Sequence, residues 1–391
     1  MFFPLPSGPE LTATQRGILD DRFLSSDPFG YFSARIDMLL QWQELNARET
    51  QDFATPMSDA DSGSKTDEGT ARARFSRYIG LNNTFPPRQV KRSATTQLAT
   101  DTYALRHHAA ESLVRMAACL MEEPDRCIWE ALSTGQTQMN QVIDQLHGSF
   151  QNEDAAVKFT RLIVRRDDLE NPKSDDLASA VSVFADWLQF AVDLLSGHAL
   201  DLNAAHNKIK HGLAVRGRDD LRITFTTGPV NSDETVPLSS LTGPEAIDIF
   251  DRPVLEVLAR APKQDGHKQG LELTQLRVDV SAMLAEAYMI AWTLGAIFGV
   301  RAESHFRGRS VSSREFEAPV HPGYPVRGPG TKHIAPEAPV GMRFPLTNPP
   351  GGGQMARSMG LGFRDTFTPL IRGSGPDGQR GRVIADEFEG L

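Results

Sequence analysis

His206-Asn207-Lys208-Ile209-Lys210-His211, followed by Gly212, is the densest run of chemically able side chains in the sequence. Two imidazoles, an amide and two ammonium groups fall within two helical turns. On an α-helix, residues four apart share a face, so His206 aligns with Lys210 and Asn207 with His211 as two adjacent columns. An imidazole titrates near neutral pH and can take a proton from a hydroxyl or return one to a leaving oxygen. A cation beside it stabilises charge that develops on a phosphate. The combination suits cleavage of RNA by internal transfer, in which a 2′-hydroxyl attacks the adjacent phosphodiester. The same residue types also make an ordinary helix ending, with cations on the last carbonyls and glycine in the left-handed position. On the residues alone both readings stand.

A second group precedes it in Arg106-His107-His108-Ala109-Ala110-Glu111. His107 and Glu111 are four apart and His108 and Glu111 three apart, so this helix face pairs imidazole with carboxylate. A di-metal centre in a helical bundle needs Glu-x-x-His repeats on partner helices, and the sequence has none. His107 and Glu111 are instead expected to support the first motif, with a plain solvated face as the alternative. Asp186 and Asp193, seven apart on the following helix, could face the same way, and Asp193 is the candidate for holding a motif histidine by a hydrogen bond. The sequence contains no glycine-rich phosphate loop, nucleophile elbow, Cys-x-x-Cys pair or dinucleotide fingerprint. No metal and no cofactor are expected.

Helices must position these groups. Apolar residues recur at spacings of three and four over Tyr31–Arg48, Thr96–Glu123, Asp125–Leu146 and Asp175–Leu195, with shorter helical pieces at Ala155–Val164 and Leu200–His211. Pro124 separates two of them, His147-Gly148 reads as a C-terminal stop, and Ser196-Gly197 breaks the longest apolar face. Beyond Gly212 the pattern changes. Leu221 to Thr226 alternates apolar and polar residues, and Thr235 to Leu238 is its expected partner in a small β-hairpin at about 220–240. Ile247 to Leu258 is read as helical despite Pro253, and Leu271 to Phe306 as the last core helix.

The expected fold is therefore mainly α, an antiparallel helical bundle with a small β-hairpin insertion and disordered termini. In domain terms, residues 1–95 are an N-terminal helical arm with an acidic linker, 96–306 the bundle, and 307–391 a Pro/Gly-rich disordered tail. The tail carries little apolar periodicity to offset an ordering entropy of about 1 to 2 kcal/mol per residue. Its pairs Arg307/Arg309 and Arg380/Arg382 lend it a basic character that suits RNA.

At the His206 to His211 stretch the chain resembles the HEPN superfamily of helical-bundle proteins, many of which are RNases. The family's signature is written Arg-Asn-x-x-x-His, near the end of a late bundle helix. Here Asn207 and His211 keep the asparagine and histidine, with Gly212 after them, and His206 stands where the arginine is expected. The resemblance implies a metal-independent ribonuclease in defence or RNA processing. His211 would be general acid or base, Asn207 a positioning group, and His206 part of the catalytic set. Lys210 and Lys208 would contact phosphate. It equally implies a non-catalytic HEPN-like binding or assembly module, since a histidine is only partly charged where a guanidinium is always charged. A homodimer follows from the family, in which two copies of the motif face each other, and Tyr288, Trp292 and Phe298 are candidates for its interface or for core.

Composition sets the outer limits. A net charge of −9 over 391 residues argues against a general nucleic-acid or anionic-membrane binder, which needs a basic face, and leaves room for a local basic patch. Neither DNA nor a membrane is expected as a partner. Only Cys119 and Cys127 are present, which suits free thiols in a reducing cytoplasm better than a disulfide scaffold. The start, Met1-Phe2-Phe3-Pro4-Leu5-Pro6, does not read as a secretory signal, so a cytoplasmic location is expected. Val280 to Val300 is long and apolar enough to span a bilayer, but Glu286 inside it favours a buried bundle helix.

Overall fold

The fold is given by a computed structural model that describes residues 10–52, 91–122, 127–133, 139–150, 155–164, 174–196, 200, 202–211, 215–226, 228, 231, 237–241, 244, 246–261, 263, 266–309, 340–351, 370–374 and 380–383. Among them the chain is mainly helical. The order is α1 (Ala13–Leu24), α2 (Pro28–Asp52), α3 (Lys91–Glu122), α4 (Ile128–Ser133), α5 (Met139–Phe150), α6 (Ala155–Ile163), α7 (Ser174–Leu195) and α8 (Leu202–Lys210). Strands β1 (Val215–Arg218), β2 (Leu221–Thr226), β3 (Ala246–Phe250), β4 (Val254–Arg260) and β5 (Leu271–Arg277) follow, then α9 (Val280–Phe306), β6 (Gly341–Pro345), β7 (Leu370–Ser374) and β8 (Arg380–Val383).

Local chemistry explains where several helices start. Thr12 caps α1 in a reciprocal box: its hydroxyl accepts from the Gln15 amide at 3.3 Å while the Gln15 side chain accepts from the Thr12 amide at 2.9 Å. Asp279 caps α9, accepting from the Ala282 amide at 3.1 Å, a contact typically worth about 1 kcal/mol. The core then joins one face from each of the long helices, including Leu24 and Phe32 of the first two, Leu105 and Leu113 of α3, Phe184 and Trp187 of α7, and Ile290 and Ile297 of α9. The N-terminal helices are thus built into the bundle. α9 lies along α3 and α2, and its length and apolarity, which would also let it cross a bilayer, are spent on this burial.

The region after α8 differs from the helix-and-hairpin expectation. It forms two four-stranded antiparallel sheets, ordered β1-β4-β5-β6 and β3-β2-β7-β8. β2 pairs with β3, Thr226 opposite Ala246; of the expected partner Thr235 to Leu238, Thr235 and Val236 lie outside the described residues and Leu238 opens a 3₁₀ turn, Leu238–Leu241. Ile247 to Leu258 is not a helix: it supplies β3 and β4, divided at Pro253, which removes the amide a continuing helix needs. Leu271 to Arg277 is a strand, paired on both sides with β4 and β6, so α9 begins only at Val280. One face of the first sheet, with Leu255, Val257 and Leu276, joins the helical core, while Val254, Met342 and Phe344 meet Leu221, Ile223 and Phe250 of the second sheet.

Part of the expected disordered tail is ordered. β6 pairs with β5, placing Phe344 opposite Leu273, and both Met342 and Phe344 are buried. Three alternating residues are too few to announce a strand; the long-range pairing supplies the burial that local sequence does not show. The expected helix at Asp125–Leu146 is divided into α4 and α5, and α5 runs through Gly148 to Phe150. The acidic linker, Gly212 and most of the proline-rich tail lie outside the described residues.

Candidate functional site

Tertiary packing gathers part of the motif with residues from two other helices. α8 is fastened at its first turn, where the Tyr103 hydroxyl donates to the Leu202 carbonyl at 3.0 Å and the Asn203 amide donates to the Leu195 carbonyl at 3.0 Å. That fixes which face of α8 meets α3. His206 and Lys210, one turn apart, open onto a cleft of about 420 Å³ whose other walls are Arg35 of α2 and Ala104, His108, Glu111, Ser112 and Arg115 of α3. The five α3 residues follow the helical period, so one face of α3 floors the cleft.

The cleft is cationic on balance. Arg35, Arg115 and Lys210 line it, with Glu111 as the one carboxylate among its lining residues. Glu111 lies between two of these cations. One oxygen accepts from Lys210 Nζ at 2.7 Å, and the other from Arg115 Nε and Nη2 at 3.2 and 3.0 Å. Burial alone would raise the Glu111 carboxyl, but Lys210 and then Arg115 outweigh it and hold it below the ordinary carboxylate value. Arg35 donates to the Tyr31 hydroxyl at 3.0 Å, and the Tyr31 ring meets His108 edge-on.

Behind this surface three rings stack. His206 lies over His107 with centroids 5.1 Å apart and 18° between planes, and His107 lies over Tyr103 at 4.3 Å. His107 Nδ1 is 3.0 Å from the Tyr103 carbonyl. A carbonyl only accepts, so Nδ1 holds the proton and Nε2 presents a lone pair. That lone pair and both ring nitrogens of His206 have no hydrogen-bond partner among the described residues. Burial, and after it the charge of Lys210, bring His206 down to about 4. Burial and then Arg106 hold His107 well below its ordinary value, and burial and then Arg35 lower His108. Burial therefore favours the neutral form of all three imidazoles at pH 7 and makes each a weaker proton acceptor than a free imidazole.

The structure divides the sequence motif along its two columns. His206 and Lys210 take the cleft side, whereas Asn207 and His211 are exposed and do not line it. Lys208 is half-buried and is also absent from the walls. His211 closes the helix, its amide donating to the Asn207 carbonyl at 3.2 Å, which is the capping geometry such residues favour. Of the supporting residues, Glu111 reaches Lys210 directly and His107 stacks on His206. Asp193 is exposed and accepts from the Gln189 side chain at 2.7 Å. Phe298 is core, and Tyr288 and Trp292 are half-buried against it. Among the described residues no three His, Cys, Asp or Glu side chains are grouped as metal ligands, and Cys119 and Cys127 are free.

Three groups were not marked by the sequence motifs. Arg115 follows Glu111 by four and could have been read from the helix period. Arg35 had no signal, because only the packing of α2 on α3 brings it to the cleft. The buried pair Arg106–Glu286, 2.7 Å apart, joins α3 to α9 directly beneath the stacked rings. No family model, curated protein or solved structure matches the chain.

Proposed function

We propose that the cleft binds a phosphate group of RNA on a HEPN-like helical bundle, and that its chemistry is metal-independent cleavage by internal transfer. The observation that supports this is the convergence of Arg35, Arg115 and Lys210 on a cleft where the buried His206 imidazole has no hydrogen-bond partner among the described residues. The cations hold the phosphodiester and its developing charge. Both His206 ring nitrogens are buried, so the ring must turn into the cleft to accept the 2′-hydroxyl proton as the 2′-oxygen bonds to phosphorus and the bond to the 5′-oxygen breaks. That oxygen takes its proton from solvent at the open mouth, leaving a 2′,3′-cyclic phosphate and a 5′-hydroxyl. Asn207 and His211, exposed beside Lys210, serve as outer contacts for a longer strand. The reading keeps the family's chemistry but moves proton transfer from His211 to His206.

A second reading, a non-catalytic RNA-binding or assembly module, is favoured by one observation: every imidazole in and behind the cleft is held neutral, so none is an acid at pH 7. The homodimer belongs to either reading. The surface available for it is the outer face of α2, where Tyr31, Met38 and Leu45 recur every seven residues and are 50%, 68% and 54% exposed.

Purified protein incubated with mixed RNA in EDTA, beside His206→Gln, Lys210→Ala and His211→Ala, separates these possibilities. Cleavage lost in the first two and retained in the third supports the cleft as the reacting site. Loss only in His211→Ala returns the chemistry to His211. Binding without cleavage in all four supports the module.

A further inference from the structure

Glu111 places two carboxylate oxygens against Lys210 and Arg115 as a bound phosphate would place two of its own. We infer that Glu111 is a built-in competitor for the anion, occupying the Lys210 and Arg115 cations until a phosphate displaces it. The inference rests on the cleft being a phosphate site.

The geometry sets the competition. Lys210 is the last residue of α8, and its bond to Glu111 ties that helix end to α3. Arg115 is one turn beyond Glu111 on the same helix, so its guanidinium stays in place whether or not the carboxylate does. Lys210 reaches across from another helix and is the more exposed partner, at 38% against 20% for Arg115. An entering phosphate therefore takes over Lys210 first. The Glu111 side chain, at 18% exposure, has room to turn toward the open cleft. Ligand binding and release of the α8 end become one event, which also frees the segment that carries Asn207 and His211.

The charge count predicts the direction of the effect. With Glu111 present the four ionised groups on the cleft sum to about two positive charges, and without it to about three. A scaffold role predicts the opposite: loss of the carboxylate would scatter the cations and weaken binding. Titration of the full-length protein with inorganic phosphate, followed by calorimetry at low salt, distinguishes them. Glu111→Gln keeps the shape and should bind phosphate about tenfold tighter than wild type, about 1.4 kcal/mol. The gain should shrink in 0.5 M potassium chloride, since partly exposed charges are screened. Lys210→Ala should weaken binding in both backgrounds.

Equal affinity in wild type and Glu111→Gln overturns the competitor role and leaves the phosphate site intact. Weaker binding in Glu111→Gln overturns it in favour of a scaffold. No phosphate binding by either protein overturns both the site and the inference. If Glu111→Gln fails to fold, Glu111→Asp keeps the charge but shortens its reach, and it must likewise bind more tightly than wild type.

Discussion

His206 makes acid stability a direct report on the buried ring stack. Its neutral form is favoured in the folded protein down to a pKa of about 4, against an ordinary value of 6.5. Between these values the unfolded chain binds a proton that the folded chain refuses, so stability is fully present above about pH 6.5 and falls as the pH drops toward 4. The interval of roughly 2.5 pH units at 1.36 kcal/mol each amounts to about 3 kcal/mol from this side chain. His107, lowered in the same direction by burial and by Arg106, adds to the loss. Urea unfolding at pH 7.0, 6.0, 5.0 and 4.5, read as midpoints at constant slope, measures it. His206→Phe keeps a planar ring on His107 but cannot titrate. Between pH 7.0 and 4.5 it should lose about 2 kcal/mol less than wild type and retain the residual dependence due to His107. His211→Ala, at an exposed position, should follow wild type. Parallel loss in wild type and His206→Phe would refute the buried, unpartnered imidazole and with it the electrostatic account of the cleft.

Four further outcomes are expected. Arg106→Met removes the guanidinium that pairs with the buried Glu286 carboxylate at 2.7 Å, and should cost about 3 to 5 kcal/mol by thermal or urea unfolding; adding Glu286→Leu should restore much of it. Phe184→Ala removes a fully buried ring that meets Phe159 edge-on at 5.4 Å, and should cost about 3 to 5 kcal/mol in the same assay. Gly217→Ala should destabilise by about 1 to 3 kcal/mol, because a Cβ there would sit 2.6 Å from the Thr96 Cβ where β1 crosses α3. Gly17→Ala, in the middle of α1 with nothing within 4 Å of the added carbon, should instead stabilise by up to about 1 kcal/mol.

The long helices were readable because each carries enough turns for its period to show, whereas α1 was not marked and α4 and α5 were read as one. Lys91–Glu122 and Ser174–Leu195 repeat their apolar faces many times, and a period sampled that often is unambiguous. Of the strands, only β2 was readable, from the alternation of Leu221 to Thr226. β3 and β4 together look like one apolar run of helical length, and only their partners, β2 for one and β1 and β5 for the other, decide the extended form. β6 shows the extreme case, since Met342 and Phe344 gain their burial from residues about seventy positions earlier.

For the site, sequence alone determined that His206 shares a face with Lys210 and His108 with Glu111, because helical spacing is a local property of the backbone, whereas His107 turns inward onto Tyr103 and His206. Sequence could not choose between the two columns of the motif, since both are equally helical. Tertiary structure made that choice when Tyr103 and Asn203 fastened α8 with His206 and Lys210 toward α3. It also brought Arg35 from α2 and buried the His206 ring with no hydrogen-bond partner among the described residues. Proximity between distant segments and the cost of desolvating a side chain depend on the whole packed molecule, and no local spacing encodes them.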